Sequence, residues 1–103
     1  MTTEIQELSE KLSVLYGVEA VYLNGIYTKY LAEDSGRISD LADDNGVDTL
    51  CRIDNAICSA FNTTCNTRSI VNTTIEQYIN HPTKHDAARM ARVRCLIAIG
   101  ELK

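Results

Sequence analysis

The stretch Asp48-Thr-Leu-Cys-Arg-Ile-Asp-Asn-Ala-Ile-Cys-Ser-Ala-Phe61 decides how the chain is read. Within it Leu50, Ile53, Ile57 and Phe61 recur at steps of three and four, which places them on one face of an α-helix. That spacing predicts a helix of about residues 48–61 with these four side chains as its core face. The segment that follows, Asn62-Thr-Thr-Cys-Asn-Thr-Arg68, is polar and short-chained and reads as a loop. Thr73 and Glu76 then stand at capping-box spacing. They predict a helix of about 74–80 that buries Ile75, Tyr78 and Ile79. His81-Pro82 stops it, because a residue before proline avoids the helical region.

Toward the N-terminus the signals are again helical. Ile5, Leu8, Leu12 and Leu15 form one apolar stripe over about residues 4–16. Thr3 and Gln6 have the geometry of a capping box, Glu4 and Glu7 suit the first turn of a helix, and Gly17 ends it. Residues 18–31 carry two patterns. Asn24-Gly25 between runs of Val, Tyr, Ile and Thr is a hairpin signal, whereas Leu23, Ile26, Tyr27, Tyr30 and Leu31 also fit helical spacing. Side-chain type favours the hairpin. A short helix of about 37–44 carries Ile38, Leu41 and Ala42 and breaks at Asn45-Gly46. Toward the C-terminus Thr83 caps a last helix through Asp86, which runs to about Ile99 with Gly100 as its stop. Ala87, Met90, Ala91, Leu96, Ile97 and Ile99 make that helix nearly apolar all round at its far end. It is expected to be central, or half-buried in a second copy of the chain, so a homo-oligomer is an expectation as well.

The fold class expected is thus mainly α, a single compact helical domain over 1–103 with four to five helices and a possible β-hairpin at 18–31. Composition agrees with one domain. The chain has 103 residues, 45% of them hydrophobic, and 14 acids against 10 Lys and Arg, for a net charge of −4. The only proline is Pro82, and no Pro- or Gly-rich linker divides the chain. No stretch approaches the ~20 apolar residues of a membrane span, and the opening residues lack the pattern of a signal peptide. A cytoplasmic location without membrane contact is the expectation.

Chemistry-bearing motifs are few. Cys51, Cys58, Cys65 and Cys95 contain no pair at zinc-ligand spacing. His81 and His85 have suitable mutual spacing, but the pair straddles a proline and a helix start, so no metal is expected. Around Gly46 a calcium loop would place Leu41 and Arg52 at its first and last ligand positions, which excludes that reading. No phosphate-cradling glycine loop or nucleophile elbow is present. The reading is therefore of a protein that is not an enzyme and takes no cofactor.

Charge is unevenly distributed. Glu33, Asp34, Asp40, Asp43, Asp44, Asp48 and Asp54 stand against Arg37 and Arg52 alone, so 33–54 sums to −5, whereas 84–103 sums to +3. Asp43 and Asp44 fall in the last turn of a predicted helix, where the dipole disfavours negative charge by about 0.3–1 kcal/mol each. Local rules broken in this way tend to mark function. The ordinary account is that the acids and the basic stripe compensate each other, within one chain or between copies. The sharper one takes Glu33, Asp34, Asp40, Asp43, Asp44 and Asp48 as a partner-binding set that docks on a basic, nucleic-acid-handling surface of another protein.

In size and acidity the chain is similar in type to small phage anti-defence proteins, including anti-CRISPR inhibitors, though it shares no motif with them. Two alternatives come from other classes. His85, Arg89 and Arg92 share one stripe of the last helix and, with its free amides, suit a nucleotide or phosphate held by an oligomer. Leu41-Ala42, Gly46-Val47, Leu50 and Ile53 resemble a helix-turn-helix seam. The recognition helix of such a regulator would carry Asp48 and Asp54 against Arg52 alone, which makes direct nucleic-acid binding unfavourable.

Overall fold

A computed structural model describes residues 4–64 and 67–102. Its elements are α1 (Glu4–Tyr16), β1 (Val21–Asn24), β2 (Tyr27–Tyr30), α2 (Ser35–Asp44), β3 (Val47–Cys51), β4 (Asn55–Thr64), β5 (Thr67–Gln77) and α3 (Lys84–Glu101), with 3₁₀ turns at Leu31–Glu33 and Tyr78–Asn80. The fold is α+β, with three α-helices and two antiparallel sheets among the described residues, a two-stranded β1–β2 and a three-stranded β3–β4–β5. This overturns the mainly α expectation of four to five helices. Among the described residues no helix is long and apolar enough to cross a membrane.

The correction lies in 47–77. The expected helix 48–61 is β3, its turn and most of β4, and the expected helix 74–80 is the end of β5 followed by a 3₁₀ turn. Most of the expected 62–68 loop is strand, with Asn62 paired to Ser69. The reason lies in which residues face inward. Val47, Ala56, Cys58 and Ala60 are buried against the core, and Thr49 and Thr74 share their face. The bulky Leu50, Ile57 and Ile75 pair across the opposite face. A period traced through the largest apolar residues therefore follows the outer face and misses the period-two alternation of smaller ones. Twelve of the 31 residues in 47–77 are β-branched, which favours the extended chain.

The N-terminal readings fare better. In α1, Leu8 and Leu12 are buried with Ile5 and Leu15 packed beside them, and Gly17 ends the helix at φ 66°. Thr3, its expected cap, lies outside the described residues. The hairpin forms, but Asn24 pairs with Tyr27, so Gly25-Ile26 is the turn, with Gly25 at φ 70°. Ser9 is buried; its hydroxyl donates to Ile5 O at 2.7 Å and accepts from Ala32 N at 2.9 Å, tying α1 to the chain after the hairpin.

Helix α3 is the centre of the molecule. Thr83 caps it, accepting from Asp86 N at 3.1 Å. It packs on the inner face of the β3–β4–β5 sheet, where Thr74 Oγ1 donates to Ala91 O at 2.8 Å, and α1 and α2 pack against it as well. Its apolar far end is covered by its own chain, so that end gives no reason to invoke a second copy. Gly100 is not a stop, since α3 continues to Glu101. A Cβ there would stand 2.9 Å from Leu15 Cδ1 and 3.2 Å from Leu15 Cβ. Glycine at this position permits the close approach of α1 and α3.

A candidate acidic docking surface

The turn Asn45-Gly46 fixes where α2 ends and so where its acids project. Asn45 satisfies the closing carbonyls of the helix, its Nδ2 donating to Leu41 O at 2.8 Å. Gly46 adopts φ 71°, its carbonyl accepts from Phe61 N at 3.1 Å, and a Cβ on it would sit 3.3 Å from Phe61 O. The end of α2 is thereby held against β4 by the backbone.

The six candidate acids separate into two groups by what they touch. Glu33 accepts from Tyr30 N at 2.9 Å and closes the 3₁₀ turn. Asp34 is the N-cap of α2, accepting from Arg37 N at 3.2 Å and from the Tyr22 hydroxyl. The Arg37 guanidinium lies 3.9 Å over the Tyr22 ring and 3.9 Å from the Asp34 carboxylate. The hydrogen bond from Tyr22, opposed by desolvation, holds the Asp34 carboxyl below its ordinary range. Desolvation first, and then this bond, pushes the Tyr22 phenol up to about 12. These two acids fasten the hairpin to α2. Asp48 is paired with Arg68 on the outer face of the sheet.

Asp40, Asp43 and Asp44 are different. They are exposed, lie at steps of three and four on one side of α2, and no ion pair engages them among the described residues. Asp44 stands between two shallow grooves, one lined by Val18, Leu31 and Leu41, the other by Phe61, Val71, Ile99 and Leu102. The structure thus brings three of the six acids together and assigns the others to the body of the fold.

The cations of α3 do not reach this ridge. Arg89 pairs with Asp86 at 2.9 Å, and Arg92 Nε donates to Thr49 Oγ1 at 2.8 Å, while His85 is exposed in the first turn. The stripe of His85, Arg89 and Arg92 is therefore largely engaged by its own chain. Arg94 bridges Glu4 and Glu76, at 2.6 Å to each, and His81 Nε2 lies 3.0 Å from Glu76. The sequence reading missed this network because it placed Glu76 in a helix cap. Only the pairing of β5 with β4 turns Glu76 toward α3. The segment Asp48–Asn55, which a helix-turn-helix would need as its recognition helix, is strand β3 and a turn.

Cys58 and Cys95 are buried, Cys51 is exposed, and Cys65 lies outside the described residues. Burial pushes the Cys95 thiol up to about 11 and raises that of Cys58, the opposite of what a reactive thiolate requires. No cluster of His, Cys, Asp and Glu among the described residues has the arrangement of a metal site. Compared with family models, with curated proteins and with solved structures, the chain gives no match.

Proposed function

We propose that the chain is a non-enzymatic acidic binding protein that inhibits or regulates a partner by occupying its basic, nucleic-acid-handling surface. The reading rests chiefly on Asp40, Asp43 and Asp44, three exposed carboxylates on one side of α2 with no cation of the described chain engaging them. Backbone bonds on either side of Gly46 hold the ridge rigidly, so little ordering entropy is lost on docking. Closely spaced carboxylates on a rigid helix present negative charge as a phosphate backbone does, and the −4 net charge steers a basic partner toward them. Glu33, Asp34 and Asp48 contribute field at longer range, since each already has a partner within the chain.

The experiment is affinity capture on the immobilised chain, with duplex DNA as competitor and Asp43→Lys/Asp44→Lys as the comparison. Basic nucleic-acid-binding proteins are expected on the wild-type chain, released by the duplex and absent from the variant. Equal capture by both chains would refute the proposal.

A further inference from the structure

The outer face of the β3–β4–β5 sheet has no cover among the described residues. Leu50, Ile57 and Ile75 stand side by side across its three strands, with Leu50 56% and Ile75 58% exposed. A β-bulge at Ala60/Phe61 leaves Ile70 opposite Phe61, on the same face and 64% exposed. At the β3–β4 turn, Ile53 (93%) and Ile79 (88%) line a shallow groove with Gln77. On either side of the apolar row run uncharged polar pairs, Asn55 with Gln77 and Ser59 with Thr73.

We infer that this face is the interface between two copies of the chain, packed sheet on sheet. Charge selects the occupant. The face, with its turn and groove, carries Asp48 and Asp54 against Arg52, Arg68 and Lys84 and is close to neutral; Asp48 and Arg68 pair with each other, and the Arg68 guanidinium lies 3.7 Å over the Phe61 ring. Two molecules of net charge −4 therefore meet on a nearly neutral face, and a basic partner finds no excess of negative charge there. Area agrees. A fully exposed side chain of this size offers on the order of 100 Å² of apolar surface. The five exposed residues together present roughly 350 Å². A standard interface covers about 800 Å² per partner, rather more than half of it apolar. Ile57, Phe61 and the polar rows supply much of the remainder. An apolar row flanked by polar rows, one with Asp48 opposite Ser59 and the other with Arg52 beside Asn55, suits a two-fold interface between aligned sheets.

The test is sedimentation velocity on the full chain at tens of micromolar, with Ile75→Lys and, because lysine there can unfold a strand, the β-branched Ile75→Thr. The wild-type chain is expected at twice its 11.4 kDa mass. Ile75→Lys should lose the dimer, and Ile75→Thr should weaken it about tenfold or more, since each change counts twice across the two-fold axis. Asp43→Lys/Asp44→Lys should leave it intact. A wild-type chain of single mass at 100 µM overturns the inference, whether or not some other protein uses the face. So does a dimer that persists in both Ile75 variants or disappears on reversing Asp43 and Asp44.

Discussion

Reversing Asp43 and Asp44 to lysine should raise the stability of the protein while removing its binding. Both acids close α2, where the helix dipole opposes them, and neither engages a cation of the described chain. Each such carboxylate costs about 0.3–1 kcal/mol, and a lysine in its place gains a similar amount. Asp40 stands three and four residues before them, so two like-charge neighbours become two opposite-charge ones, each worth about 0.2–0.5 kcal/mol. Exposure and salt reduce the sum to about 1–2 kcal/mol in 50 mM salt, a rise in Tm of about 5–15 °C. Urea unfolding of both chains at that salt and at 1 M NaCl measures it. The gain should shrink at high salt, where charges are screened beyond about 3 Å. A variant less stable than the wild type would refute the reasoning, because it would mean that these carboxylates hold the fold together. A salt-insensitive gain would refute its electrostatic cause.

Gly100→Ala should destabilise by about 1–2 kcal/mol: the crowding against Leu15 outweighs the better helix propensity of alanine, and Leu15→Ala in the same chain should relieve it. A stabilised single variant in urea unfolding would contradict that close approach. Removing Arg94 as Arg94→Ala leaves the largely buried Glu76 carboxylate with His81 alone, a loss of about 1–3 kcal/mol measurable in the same assay. Hydrogen bonds from Tyr22 to Asp34 and from Thr83 to Asp86 hold both carboxyls below their ordinary 3.8. The stability they contribute is complete above that value and is lost as pH falls through the folded values. Acid unfolding followed by circular dichroism should therefore begin at higher pH in an Asp34→Asn/Asp86→Asn chain, and an unchanged midpoint would contradict it.

Much of the N-terminal half, and the start of the last helix, was legible in the sequence because the signals there are local. The α1 stripe, the glycine stops at Gly17 and Gly46, the hairpin and the Thr83 cap each rest on residues a few positions apart. The acid ridge was legible for the same reason, as charge misplaced at a helix end. Which acids were available was not. Nothing near Asp48 in the chain announces Arg68, and Asp34 meets Tyr22 only once the hairpin folds back on α2.

The sequence by itself determined the ends of α1 at Gly17 and of α2 at Asn45-Gly46, the start of α3 at Thr83, and that the molecule carries an excess of negative charge before residue 55. Tertiary structure decided the rest of the architecture. Whether 47–77 coils or extends depends on what its small residues meet, and α3 is the surface that Ala56, Cys58 and Ala60 fit against. Packing α3 onto one face of that segment turns Leu50, Ile57 and Ile75 to the other. A helical period and an exposed apolar sheet are thus two readings of the same residues, and long-range burial selects between them.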